Sequence, residues 1–418
     1  MPYYLKLIFF LSFWFLAFTA DARRVNVFTI EQFLNYSNCS NVSLIIRDSI
    51  NLQNRVINLT KKNRLIFKGK GLIANGCLSG NDTEIFAENR TILLDVKIIG
   101  TWRNQIVFGD WLSYSDQIHD DNNFFLNLMS LCQGNRKTHL YLAEKTYRVS
   151  AVNHSAPIII PSYTYWHNKA TIIMKPSSYS KYNMVLLSKV TDVTIDGGVF
   201  IGDVENHIDN KGEWGHGIKC GGANNIILKN LTCERFWGDG IDLIEGIDRD
   251  GHPSISCNSI VIDNVICRYN RRQGISIEAA QNVKILNSEF TETGAIKYTL
   301  PSSGIDIEPW TGENGKIKNI LIQNCVFKNN KGLDFNCQAN LQLIDNYLSF
   351  VNNIKIVGCN IGTIRINKTF GISLKRCAVK SYFGLYSSDR IDVKKSSIPK
   401  PYKHLVGNNI IIDNCNIY

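Results

Sequence analysis

The sequence predicts an all-β protein: a single-stranded parallel β-helix with an N-terminal β module and one capping helix. Three observations carry this. Short β-rich runs recur through the second half of the chain. Each run turns on a two-residue corner. Several units then add a third short strand that a glycine introduces.

The runs are DVTIDG (192–197), NIILKNLTC (225–233), SIVIDNVIC (259–267), NVKILNSEF (282–290), NILIQNCVF (319–327), NIKIVGCNI (353–361), GISLKRCAV (371–379) and NIIIDNCNI (409–417). Apolar and polar residues alternate on either side of a central pair. That pair is Asn plus a small or apolar residue at Asn230-Leu231, Asn264-Val265, Asn287-Ser288, Asn324-Cys325 and Asn414-Cys415. Asn tolerates the left-handed conformation that a tight corner needs. The glycine-led strands are HGIKC (216–220), DGIDL (239–243), QGISI (273–277), SGIDI (303–307) and KGLDF (331–335). Three strands per coil, stacked coil on coil, give a parallel β-helix, and a period of two excludes a helical solenoid.

Ahead of the repeat, segments 43–52, 64–80 and 91–100 read as strands separated by Gly and Asn turns, forming an N-terminal module over 23–110 that precedes the β-helix of 111–418. DDNNFFLNLMSLCQG (120–134) reads as one amphipathic helix, capped by Asp120 or Asp121 and stopped by Gly134. Its expected place is over the open end of the stack, where an unpaired edge needs cover.

Residues 1–22 hold one lysine, an apolar run from Leu7 to Phe18 and a small-residue exit at Ala20-Asp21-Ala22. This is the pattern of a secretory signal peptide and predicts a secreted, periplasmic or cell-surface protein without a membrane span in its mature form. Twelve cysteines in an exported chain suggest disulfides. The repeat points elsewhere: Cys325, Cys359, Cys377 and Cys415 share one inward repeat position and Cys233 and Cys267 another, which predicts stacked free thiols acting as small hydrophobes. The net charge of +10 slightly favours an anionic partner. No Lys/Arg-rich run is present, so nucleic acid is set aside.

The combination of the DD-initiated helix, YLAEKTYRVS, VTIDGG, GDGIDL, NRRQGISI and SGIDIEPW resembles the pectate-lyase-like, right-handed parallel β-helix superfamily, in particular its exported bacterial and phage-tailspike-like members. The motifs cover roughly residues 110–340; the remainder is similar by repeat pattern alone. The resemblance implies right-handed winding and a polysaccharide bound along one strand face. The superfamily contains lyases, glycoside hydrolases, epimerases and non-catalytic binders, so the reaction has to be read from the site. A tailspike-like member also leaves a homotrimer open. In the polygalacturonase branch paired aspartates precede a GHG segment; here Gly215-His216-Gly217 comes one coil before GDGID, and that branch's roles are not transferred.

In G-I-x-I the isoleucines point inward, so x is expected to face solvent. The x column reads Lys219, Asp242, Ser276, Asp306, Asp334; two residues on, the same face adds Glu278 and Glu308. Coils stack about 4.8 Å apart, which sets the acids in a file. His216, Asp239, Arg271, Arg272 and Gln273 lead into these strands, and Trp214, Trp237 and Trp310 flank them. Carboxylates with cations and tryptophans suit a carbohydrate groove, and crowded like charges push one pKa up beside an ionised partner. Asp242 and Asp306, two coils or about 9–10 Å apart, are the first acid/base pair by this reading, at the upper end of an inverting geometry; Glu278 and Glu308, about 5 Å apart, fit a retaining one. Asp239 follows, with turn chemistry as its ordinary alternative. His216, Lys219, Arg271, Arg272 and the three tryptophans are the substrate-binding set.

The function that follows is cleavage of a polysaccharide, acidic by preference, with hydrolysis slightly ahead of β-elimination. No cofactor is required; in the lyase alternative, Ca2+ held by Asp242, Asp306 and Glu278 neutralises a uronate. The second alternative is a non-catalytic glycan binder or adhesin using the same face.

Overall fold

The computed structural model describes residues 23–115, 120–247, 253–309, 317–339, 351–404 and 409–418. Residues 1–22, read above as a signal peptide, and Trp310 lie outside the described residues. The described chain forms two compact units, one of residues 23–102 and 111–113, the other of 103–110 and 114 onward.

The first unit is built from parallel strands. Arg23–Val27, Val42–Ile46 and Arg64–Phe67 lead onto the long strand Leu72–Phe86, which also pairs with Ser49–Asn51, Val56–Asn58 and Leu93–Trp102. Leu44, Leu65, Ile73, Leu78, Trp102 and Trp111 fill its interior. It also holds a helix that the strand pattern did not suggest, α1 (Ile30–Ser37). Thr29 is its N-cap: the hydroxyl accepts from the Gln32 backbone N–H at 3.3 Å, and the Gln32 side chain returns to the Phe28 N–H at 2.9 Å. This is close to a capping box. The described residues therefore carry two α-helices, not one.

In the second unit α2 (Asn122–Ser130) is the expected helix, ending at Leu131 rather than at Gly134. Asp120 accepts from the Asn122 N–H at 2.9 Å, whereas Asp121 accepts from the Arg148 N–H and ties the helix to a strand instead of capping it. Phe124 and Phe125 pack against Tyr147, and Phe125 meets Trp166 edge to face, so the helix seals the core at the first coils.

Behind α2 the coils stack as two long parallel sheets, one of 12 strands and one of 19 that turns round the remaining two sides. One coil illustrates the design: strand Asn224–Lys229, a corner at Asn230, strand Thr232–Glu234, a turn, then strand Asp239–Ile244. Asn230, Asn264, Asn287, Asn324 and Asn414 all sit at φ of 50–56°, as the corner reading requires. They also hydrogen-bond from coil to coil, for example Asn264 to Asn230 at 2.9 Å. A second Asn ladder runs through Asn224, Asn258, Asn282, Asn319 and Asn353. These ladders account for much of the Asn richness. Inside, Ile226, Ile260, Val283, Ile320, Ile354, Ile372 and Ile391 pair in one register and are buried, which fixes that register because a one-residue slip would expose them all.

All twelve cysteines are free. Cys325, Cys359 and Cys377 are buried on successive coils, and Cys233 pairs in register with Cys267. Denatured without reductant, the protein should therefore expose twelve titratable thiols to a disulfide reagent; a shortfall in pairs would show disulfides instead. Among the described residues no helix is long and apolar enough to cross a membrane.

Candidate functional site

The third strands of successive coils set the site. Lys219 pairs with Asp242, Asp242 with Ser276, Ser276 with Asp306, and Asp306 with Asn336. The file predicted from the repeat is therefore in place up to Asp306. Its fifth member is corrected from Asp334 to Asn336. Phe335 and Cys337, not Leu333 and Phe335, are the inward pair, which moves the strand two residues on. Asp334 instead accepts hydrogen bonds from Asn330 and Thr363.

The expectation that this file faces open solvent is also corrected. Asp242 is 1% exposed and Asp306 0%. The side chains do point away from the apolar core, but coils about 4.8 Å apart let long neighbours lie across them. Lys219 reaches Asp242, Arg272 reaches Asp239, and Gln273 reaches Asp306.

The centre of the site is Asp239, Asp242, His216, Lys219 and Arg272, with Glu278 close enough for its charge to matter. Asp239 and Asp242 project from one strand, three residues apart. Lys219 Nζ lies 3.0 Å from Asp242 Oδ2, and Arg272 Nη1 lies 2.8 Å from Asp239 Oδ2. His216 sits between the carboxylates, with Nδ1 3.4 Å from Asp239 and Nε2 3.9 Å from Asp242. The Asp239 backbone N–H donates to His216 Nδ1 at 3.1 Å. The imidazole proton therefore belongs on Nε2, facing Asp242. Burial pushes the His216 pKa down to about 3, so the ring is neutral.

The carboxyls are driven apart. Burial raises all of them, but at Asp242 the Lys219 ammonium and its hydrogen bond, with His216 and Arg272, win and hold the group below its ordinary range. Burial takes Asp239 to about 7 against the pull of Arg272. Burial and the Asp242 charge push Glu278 well above the carboxylate range. Asp239 Oδ1, Asp242 Oδ1 and Glu278 Oε2 are buried without a protein hydrogen-bond partner. Such atoms are costly in a finished interior and mark where a ligand or water belongs.

Asp306 is different. Gln273 Nε2 donates to one of its oxygens at 3.2 Å and Asn336 Nδ2 to the other at 2.8 Å. Burial and Glu308 raise its pKa well above the usual value, yet its lone pairs are engaged. The structure thus places Asp306 in an amide-lined stretch and not beside Asp242. Glu308 is half-buried, 3.6 Å from Arg272 Nη2. Among the described residues no group of three His, Cys, Asp or Glu side chains is placed to hold a metal. The set Asp242, Asp306 and Glu278 does not converge on one Ca2+, because Asp306 stands two coils from Asp242 with amide donors on both its oxygens.

Two binding residues are also corrected. Trp237 is 1% exposed and offers no face to a sugar. His207 stacks on it at 3.9 Å and the Arg271 guanidinium at 3.7 Å; both distances are too short to share one face, so they cover opposite ones. Arg271 also donates to the Gly212 carbonyl. This sandwich sets the turns that carry Asp239 and Arg272, the residues that follow it. Trp237→Ala should cost about 3–5 kcal/mol in denaturant unfolding, as for a large buried aromatic; a loss under 1 kcal/mol would contradict the packing. Trp214 is 44% exposed and remains available. Among residues outside the predicted set, Gln273 and Asn336 belong to it by contact. Gln273 stood in plain view ahead of its strand; Asn336 was hidden by the two-residue shift.

With this geometry in hand, the comparisons with known proteins can be placed. The family described as right-handed β-helix region matches residues 165–314, which contain the whole central cluster. The chain is a right-handed parallel β-helix protein. It is 30% identical over 162 residues to the uncharacterized protein YclG of Bacillus subtilis, across 37% of this chain and 28% of that one. It is 25% identical over 225 residues to the SPbeta prophage-derived uncharacterized protein YorA of the same organism, across 49% and 38%. These alignments span about a third of the length of those relatives. Among solved structures it is similar to the A-module of mannuronan C-5 epimerase AlgE6 from Azotobacter vinelandii, with a TM-score of 0.51 and 13% identity over 72% of this chain and 96% of that one. At that identity the likeness speaks for the β-helix fold.

Proposed function

We propose that this β-helix protein acts on a polysaccharide bound along the outward face of its third strands, outside the cytoplasm, and that it hydrolyses it. Asp242 is the ionised base or nucleophile, and Glu278 or Asp239 is the acid. The observation that carries the reading is the unequal treatment of three neighbouring buried carboxyls. One is held ionised by Lys219, two are driven toward the protonated form, and each keeps one oxygen without a protein partner. Acid and base roles are separated in this way when environments push paired carboxyls apart. His216, with its proton on Nε2 and 3.9 Å from Asp242, turns an N–H rather than a lone pair toward that carboxylate and is not the base. Trp214 is the exposed aromatic available to a sugar ring. That the structurally similar AlgE6 module is a mannuronan epimerase agrees with a polysaccharide as the ligand.

A second reading is β-elimination. It is favoured by two cations on the same face, half-buried Lys219 and buried Arg272, which can neutralise a uronate carboxylate. The test is a polysaccharide panel followed for new reducing ends and for UV-absorbing unsaturated ends. Reducing ends without unsaturation support hydrolysis, and unsaturated ends transfer the assignment to the lyase. Glycan binding with neither product makes the protein a binder.

A further inference from the structure

The file of third-strand residues does not stop at Asn336. The next coil places Arg365 on it and the one after places Gly384. By coil spacing Arg365 stands four coils, about 19 Å, from Asp242. Ile364 and Ile366 on either side point into the core, so the guanidinium is outward, on the same face as the acids.

Arg365 is held but not neutralised. Its Nε donates to Asn336 Oδ1 at 2.9 Å and its Nη2 to Gln338 Oε1 at 3.0 Å. Both acceptors are neutral amides, and no carboxylate among the described residues lies within ion-pair distance of it. The side chain is half-exposed. Two fixed hydrogen bonds pre-orient a planar fork whose charge has no ion-pair partner among the described residues, Asp306 acting on it only at longer range, which is the arrangement that recognises a carboxylate or a similar planar anion.

The following coil places two phenols beside Arg365. Gly384 contributes no side chain to the file, and a side chain there would run into the Tyr382 hydroxyl. Tyr382 and Tyr386 flank it on the outward side, because Phe383 and Leu385 are buried, and their hydroxyls meet each other across the glycine. A guanidinium and two phenols therefore lie on one face within two coils.

We propose that Arg365, with Tyr382 and Tyr386, forms a distal subsite that takes the anionic group of an acidic sugar unit in a glycan reaching along the face from Asp242. The inference rests on the reading that a glycan lies along this face. It adds a substrate class, since a neutral glycan leaves Arg365 without an ion-pair partner. The subsite selects and positions the chain; no bond is made or broken there.

The experiment is calorimetric titration of the full chain carrying Asp242→Asn, so that no turnover intervenes. The probes are di- and octasaccharides of galacturonate and of mannuronate, each free and methyl-esterified. An acidic octasaccharide should bind, and Arg365→Gln should weaken it about tenfold, the size of one charge-assisted contact. The penalty for esterifying the octasaccharide should shrink by a similar factor in Arg365→Gln, because both changes remove the same contact. The disaccharides, too short to reach from Asp242 to Arg365, should show no such coupling. A loss in Arg365→Gln that is equal for free and esterified chains, or equal for short and long ones, marks a structural role and overturns the proposal, as does absence of binding by every acidic octasaccharide. The reading of the site itself is judged separately by product formation with the unsubstituted protein. A glycan that is cleaved while Arg365→Gln changes nothing sinks the subsite and leaves the central site standing.

Discussion

Asp242→Asn is expected to lower kcat on the cleaved polysaccharide by about 10²–10⁴-fold, the range for loss of a positioned general base or nucleophile. The substitution is isosteric. Its carbonyl oxygen can still accept from Lys219 Nζ, 3.0 Å away in the parent, but the charge is gone. The Lys219 side chain is about one-fifth exposed, so the charge left behind is nearer to water than one in a fully buried pair and the stability cost stays below the about 3–5 kcal/mol of such a pair. The signature is therefore a collapse of kcat with a limited change in Tm and with glycan binding retained. Asp306→Asn provides the contrast. Both Asp306 oxygens accept from amide N–H groups, so an Asn there must turn an NH2 toward Gln273 or Asn336. Two donors then face each other in a buried place, and the cost falls on stability. If Asp242→Asn keeps its turnover, or if Asp306→Asn is the one that loses it, the central assignment is wrong.

That contrast also shows what could be read from the sequence and what could not. Period-two alternation with an Asn corner is a backbone requirement, so the repeat, the coil register and the outward file were legible: Lys219, Asp242, Ser276 and Asp306 pair as the motif spacing implies. The capping box of α1 was equally local, yet Thr29 and Gln32 stood inside a segment read for strands. What escaped depended on side-chain reach. A strand pattern says that a residue points away from the core, not whether a neighbouring coil lays an arginine or glutamine over it. For that reason the file was expected in solvent and is buried, and Trp237 was expected as a platform and is enclosed by His207 and Arg271. The split between Asp242 and Asp306 is of the same kind: identical positions in the repeat, one facing an ammonium and the other two amides.

Arg272→Met should destabilise the fold in a way that grows with pH. The guanidinium is buried, 2.8 Å from Asp239 and 3.6 Å from Glu308. Removing one partner of a buried pair ordinarily costs about 3–5 kcal/mol, because a charge is left uncompensated. Asp239 has an escape: it can keep its proton. Its ordinary pKa of 3.8 is raised by burial to about 7 even with Arg272 present. A carboxyl with a raised folded-state pKa favours the fold fully below its unfolded value, and that contribution is lost as pH climbs toward the folded value. Without Arg272 the folded value moves higher still, so the loss continues past pH 7 where the parent's has ended. The Tm gap between parent and variant should be small near pH 5, where Asp239 is protonated in both, and should widen toward pH 9. His216 acts in the opposite sense, since its folded-state pKa is lowered to about 3 and its contribution, present above its ordinary 6.5, fades as pH falls. Where His216 stays neutral in both proteins, that slope cancels in the difference between them. Adding Asp239→Asn to Arg272→Met should flatten most of the widening, because the fully buried carboxyl opposite the missing guanidinium is then gone and Glu308, 3.6 Å from it in the parent, is partly exposed to water. A gap that is the same at pH 5 and pH 9 would mean that Arg272 stabilises by packing alone and that Asp239 does not hold its proton in the folded protein.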